Sequence, residues 1–211
     1  MEDKKAVLIP DGSYHVYNRA NGNECLFLSD KNYNYFLQKY IQFISPIADT
    51  FCYCLMPNHF HFLIRIKSEE SLNNTFKVAE NKTFKVSENL EGLISKQFSN
   101  FFNAYAKAFN KQQNRKGNLF MHTFKRKRIT DEKYLRKLVH YIHYNPKEAG
   151  LVSKIEEWKF SSYNAILDLE GFENLPGLIL LKEEVLDWFE DKENFFYCHK
   201  MPPTESGIEG F

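Results

Sequence analysis

No stretch of the chain approaches the roughly 20 consecutive apolar residues that a membrane-spanning helix needs. The opening Met1-Glu-Asp-Lys-Lys5 lacks the basic-then-apolar pattern of a secretory signal. Cysteine is scarce, with four in 211 residues. Cys52 and Cys54 alternate along one extended segment while Cys25 and Cys198 are remote, so free thiols are expected and not a disulfide framework. A zinc site from Cys52, Cys54, His59 and His61 is disfavoured, because zinc knuckles use wider C-x2-C spacing with Gly-rich turns. These absences lead to the expectation of a cytoplasmic protein with no membrane partner. Net charge is nearly absent too, at +1.

That small sum hides a polarised chain. Residues 105–140 hold eleven Lys/Arg against Asp131 and Glu132, a local charge of +9. From Asp168 to Phe211 eleven acidic residues face three lysines, a charge of −8. A basic middle suggests a polyanionic partner. Solvated helix faces account for Lys133, Arg136 and Lys137 but poorly for the unbroken Lys125-Arg-Lys-Arg128. The acidic end is expected to shield this basic region. Apolar content of 43%, with 20 Phe and 12 Tyr, is ample for a core.

Ser13–Arg19 alternates like a strand and closes on the turn signal Ala20-Asn-Gly-Asn23. Asp30 to about Ile44 has helical periodicity, and 51–56 and 59–66 read as strands joined at Pro57-Asn58. Residues 68–87 are polar and contain a near-repeat, Thr75-Phe-Lys-Val-Ala-Glu-Asn-Lys82 then Thr83-Phe-Lys-Val-Ser-Glu-Asn-Leu90, read as a surface-loop insertion. About Leu90 to Lys111 is a helix whose stripe Phe98, Phe101, Phe102, Tyr105 and Phe109 reads as core. A turn at 115–120, a short basic strand over 123–129 and a helix from Asp131 to Asn145 follow. Thr130 or Asp131 can cap that helix, and Pro146 is expected to stop it. The order predicts an α+β fold, an antiparallel sheet with helices packed on one side, ferredoxin-like in type. The core domain is expected over 8–165, with 166–211 an acidic extension.

Within the apolar run Leu55–Ile64, His59 and His61 alternate with Phe60 and Phe62. At period two both imidazoles leave one face of the strand, rooted roughly 6.6 Å apart. They can converge on one divalent ion, leaving positions for a third protein ligand and a substrate oxygen. The ordinary alternative is a polar pair on a half-solvated strand. In the later helix Leu135, Leu138, Val139 and Ile142 form one apolar stripe. Tyr141 and Asn145, four apart, share a ledge roughly a right angle away. If strand and ledge face each other, Asn145 offers the ion an oxygen and Tyr141 a phenol beside it. A divalent ion polarises a phosphodiester, and a tyrosine attacking phosphorus splits strand transfer into two steps. An unperturbed phenol has a pKa of about 10, so the ion or a basic side chain such as Lys137 has to help remove its proton. Tyr141 alone also reads as an ordinary amphipathic-helix tyrosine, and Tyr144 and Tyr134 compete with it.

Four colinear segments resemble the single-tyrosine HUH transposases: Tyr14-His-Val-Tyr-Asn-Arg19, Met56-Pro-Asn-His-Phe-His-Phe62, Gly117-Asn-Leu-Phe120 and Tyr141-Ile-His-Tyr-Asn-Pro146. They most resemble the branch associated with repetitive extragenic palindromes (REP). The resemblance implies an HUH nuclease fold and a metal-dependent nuclease acting on single-stranded, hairpin-bearing DNA. It implies His59, His61 and Asn145 as ligands of Mg²⁺ or Mn²⁺, and Tyr141 as the nucleophile that forms a 5′-phosphotyrosine and frees a 3′-OH. Arg115, Lys116, Lys125, Arg126, Lys127 and Arg128, with Asn18 and Arg19, are the expected DNA contacts. The protein is then expected to be monomeric or homodimeric, and nucleoid-associated when bound to DNA. Two rivals stay open: a non-catalytic nucleic-acid-binding module derived from such a transposase, and a metal-dependent hydrolase that uses water.

Overall fold

The computed structural model describes residues 5–80, 89–121, 123–171 and 175–203. Four strands form one antiparallel sheet in the order β2-β3-β1-β4: β1 is Ser13–Arg19, β2 Ala48–Met56, β3 His59–Ile66 and β4 Lys125–Ile129. Helices α1 (Asp30–Phe43) and α3 (Leu90–Gln112) are the two crossovers. They lie on one face, where Phe36 meets Phe60 at 5.2 Å, Tyr40 stacks on Phe62 at 4.3 Å and Phe102 on Phe60 at 5.7 Å. The alternation of β3 thus sends its phenylalanines into an aromatic core, as the period-two pattern requires. The stripe Phe98, Phe101, Tyr105 and Phe109 of α3 is buried there.

Helix α4 (Glu132–Glu148) packs on the opposite face of the sheet, so helices cover both sides and not one. The reason lies in β3. Its second face carries His59, His61 and Leu63, which need cover once the phenylalanines have taken α1 and α3. Asp131 caps α4, its side chain accepting from the Lys133 N–H at 3.0 Å. Pro146 does not stop the helix, which runs on to Glu148. So near the end of the helix proline forgoes one bond, that to the Ile142 carbonyl, and the last turn still closes, the Ala149 N–H reaching the Asn145 carbonyl at 2.9 Å.

Glu69–Glu80 forms helix α2 where the sequence suggests a loop. Leu72 and Phe76, four apart and buried, give it an inner face. The second copy of the near-repeat, Thr83 onward, falls largely at 81–88, outside the described residues.

The segment after α4 wraps the free edge of β2. Phe160 accepts from Leu55 N–H at 2.9 Å, and Thr50 from Leu181 N–H at 2.9 Å. A short 3-10 turn (Ile155–Glu157) and helices α5 (Tyr163–Ile166), α6 (Lys182–Asp187) and α7 (Lys192–Lys200) complete it. Helix α6 contacts β2 and α7 contacts α4. The described part of the acidic extension therefore sits at the opposite edge of the sheet from basic β4. Among the described residues of the extension, Glu184 pairs with Arg65 at 2.9 Å and Asp168 with Lys182 at 2.6 Å; the expected shielding of the basic region falls in part on 172–174 and 204–211, outside the described residues.

Candidate metal and tyrosine site

Pro57 and Asn58 close the β2–β3 hairpin and are pinned from outside, the Pro57 carbonyl accepting from Leu26 N–H at 2.7 Å and the Asn58 carbonyl from Ala20 N–H at 2.8 Å. His59 therefore starts β3 in a fixed position, across from Arg19 of β1 and Met56 of β2. His61 follows on the same face, across from Tyr17 and Cys54. The imidazole centroids of His59 and His61 are 5.1 Å apart. Tyr141 of α4 meets His61 edge-on at 5.6 Å. Asn145, one turn on, is 8% exposed and lies within hydrogen-bonding reach of the side chains of both His59 and Tyr141. Its amide nitrogen donates to the Tyr141 carbonyl at 2.9 Å, so its oxygen is not the atom held by that bond. The strand and the ledge thus face each other, and His59, His61, Asn145 and Tyr141 come together.

Burial sets the protonation of this group. His59 is pushed down to about 4 by burial, opposed by its contact with Asn145 and reinforced by Arg19. His61 is held well below the usual histidine range by burial and by His15 and His59. Both rings are neutral near neutral pH, the form a cation needs. Nδ1 of His59 is engaged by Asn58 Oδ1 at 2.7 Å and Nδ1 of His61 by His15 Nε2 at 2.9 Å, so Nε2 is the nitrogen through which each would hold an ion. Two neutral imidazoles and an amide oxygen are a donor set that fits a divalent ion with open positions for substrate. Among the described residues no cluster of three His, Cys, Asp or Glu forms a metal site, and Asn145 is what makes this set three. Cys52 and Cys54 share the face, but burial raises both thiols far above the range in which they ionise to thiolate ligands. The phenol of Tyr141 is raised by burial and lowered by Asn145. Of its rivals, Tyr144 is buried against His140 at 5.8 Å, and Tyr134 sits under Lys127, its hydroxyl 3.3 Å from Nζ. Lys137 is exposed, one turn before Tyr141.

The expected DNA contacts are divided by the pleat. Arg19, Lys125 and Lys127 lie on the site face, where Lys125 pairs across from Tyr17 and Lys127 from His15. Arg126 and Arg128 lie on the other; Arg126 donates to the Ala6 carbonyl at 2.7 Å. Arg115 forms an ion pair with Glu24 and donates to Asn110 Oδ1 at 2.5 Å, closing the turn after α3 next to exposed Lys116. Asn18 is buried, bonded to the Met121 carbonyl at 3.4 Å and to Arg19 N–H at 2.9 Å, and works inside the fold. Sequence reasoning missed His15 and Tyr17, which stack beside His61 with centroids 5.1 and 5.8 Å from it. Their alternation with Arg19 was the available signal, but it points to the site only once β1 is paired with β3.

No family model matches the sequence. A Haemophilus influenzae protein bearing the provisional name REP-associated tyrosine transposase is 27% identical over 118 residues, 55% of this chain and 59% of that protein, so the match spans under two thirds of the relative. A solved structure of a REP-associated tyrosine transposase bound to a REP hairpin superposes with a TM-score of 0.52 at 16% identity, covering 85% of this chain and 91% of the other. At that identity the superposition speaks for the fold alone. In sequence the chain resembles the REP-associated tyrosine transposases, and its fold, an antiparallel sheet with helices and the His-x-His pair on an inner strand, is their HUH fold.

Proposed function

We propose that this protein is a metal-dependent endonuclease and strand transferase that acts on single-stranded, hairpin-bearing DNA through a tyrosine nucleophile. The observation that carries this reading is the convergence of His59, His61 and Asn145 beside Tyr141, from two elements some eighty residues apart in sequence. The names of the relatives, transposases in each case and one bound to a REP hairpin, agree with DNA as the substrate.

His59, His61 and Asn145 would hold a Mg²⁺ or Mn²⁺ ion, which supplies polarisation of the scissile phosphate and neutralises charge as it builds. Tyr141 Oη attacks phosphorus, forming the Tyr–O–P bond as the P–O3′ bond breaks. The phenol proton is lost, and the leaving oxygen takes up a proton to become a free 3′-OH. The fragment on the 3′ side of the cut stays on Tyr141 through its 5′-phosphate, as a 5′-phosphotyrosine. Attack by a 3′-OH on that phosphorus reverses the step and joins strands. Arg19, Lys125 and Lys127, on the same sheet face, give the DNA backbone a basic floor.

A denaturing gel with a labelled hairpin oligonucleotide from the protein's genomic flanks checks this. With Mn²⁺, a 3′-labelled strand should shift to a protein-linked band and a 5′-labelled strand should give a short free product. EDTA or Tyr141→Phe should remove both. Cleavage without linkage would assign water as nucleophile. Binding without any cleavage would favour the non-catalytic module.

A further inference from the structure

We infer that His15 is a positioning residue for the metal site, fixing the tautomer and ring orientation of His61 so that His61 Nε2 presents its lone pair. The inference rests on the metal-site reading above. His15 lies on β1 one step diagonal from His61, Tyr17 being the residue directly opposite. Diagonal neighbours on adjacent strands are within reach of ring side chains. His15 Nε2 stands 2.9 Å from His61 Nδ1, and both residues are buried.

A neutral imidazole has one N–H and one lone pair, so one ring of the pair donates and the other accepts. If His61 Nδ1–H donates, the His61 lone pair is on Nε2 and can ligate. If His15 donates, the proton of His61 is on Nε2 and blocks it. Only the first arrangement allows a cation to bind without moving protons, and it requires His15 to carry its own proton on Nδ1. His15 is itself wedged: its ring stacks on Tyr17 at 4.5 Å and on His61 at 5.1 Å, with planes within 22°. A ligating histidine usually gives its second N–H to a carboxylate or carbonyl, and loss of that partner costs about 10- to 100-fold in metal affinity. Here a second imidazole fills that place.

The test uses the full chain without DNA, reading Mn²⁺ binding from the free-ion electron paramagnetic resonance signal. His15→Phe keeps a stacking ring and removes the acceptor; His15→Gln keeps a polar atom near the Nε2 position. We expect His15→Phe to weaken Mn²⁺ binding by about tenfold or more, and His15→Gln to restore most of it. In ¹⁵N spectra of the metal-free wild-type protein, His61 and His15 should both be protonated on Nδ1. Unchanged Mn²⁺ affinity in His15→Phe, or His61 protonated on Nε2 in the metal-free wild type, overturns the inference. Should either variant fail to fold, the wild-type spectrum decides alone. His59→Ala separates the two levels. If it leaves Mn²⁺ binding of the wild type unaltered, the metal-site reading itself fails; if it abolishes binding while His15→Phe does not, only the role of His15 falls.

Discussion

Arg115 and Lys127 carry the same charge and have different work. The guanidinium of Arg115 is taken up by Glu24, by Asn110 and by the Asn118 carbonyl at 3.3 Å, around the turn that leads from α3 to β4. Lys127 leans over the Tyr134 ring at 4.5 Å on the face that bears His61. Arg115→Ala is therefore expected to cost about 1 kcal/mol in urea unfolding while leaving the salt dependence of hairpin binding unchanged. Lys127→Ala should reduce the slope of log K against log salt by about 0.7–0.9, the share of one phosphate contact. The reverse pattern would exchange their roles. Residue-scale reading of the sequence succeeded where one period is enough. Alternation put His59 and His61 on one face, and helical spacing put Tyr141 beside Asn145. The same alternation divides Lys125-Arg-Lys-Arg128 between two faces, a consequence that a count of charges conceals. His15 needed the register of β1 against β3, which no single-strand pattern contains.

Helix α4 shows what an element adds. Its N-cap, Asp131, fixes where the helix begins and so which way Tyr141 points. Replacing Asp131 by Ala should lower unfolding stability by about 1 kcal/mol; no change in the urea midpoint would mean the cap contributes nothing. The inner stripe was legible: Leu138, Val139 and Ile142 are buried as their spacing demands, with Leu135 half-buried at the open end. Pro146 read as a stop, yet proline near a C-terminus removes only one bond and the last turn closes around it. Helix α2 was hidden by its polar composition, although Leu72 and Phe76 mark an inner face. That α4 covers the second sheet face follows from tertiary packing, which periodicity within one element does not reveal.

At the scale of the molecule, the acidic extension is joined to the site helix by histidines. His143 Nδ1 lies 3.1 Å from His199 Nε2, and His143 Nε2 lies 2.8 Å from Ser162 Oγ. His140 Nε2 meets the Met201 carbonyl at 2.8 Å. Burial holds His199 down at about 3 and His143 well below its ordinary value. The folded form thus keeps these rings neutral while the unfolded chain protonates them below about pH 6.5. More protons on the unfolded state at low pH means that stability falls as pH drops from about 6.5 toward 3. At about pH 5 His199 accounts for at most about 2 kcal/mol of that loss. Urea unfolding at about pH 7.5 and pH 5 measures it, and His199→Gln should show a shallower dependence; stability that rises on acidification would contradict the sign. Opposed charge along the sequence was legible, but where the acidic part docks was not, because β2 offers it an open edge that composition does not record.

Tyr141 is proposed as the nucleophile at phosphorus, and one measurement tests that directly. The protein is incubated with its hairpin oligonucleotide and Mn²⁺, digested with nuclease and trypsin, and the residual phosphonucleotide is localised by fragment-ion mass spectrometry. The added mass is expected on Tyr141. The same mass on Tyr144 or Tyr134, or cleaved DNA with no modified tyrosine, would contradict it.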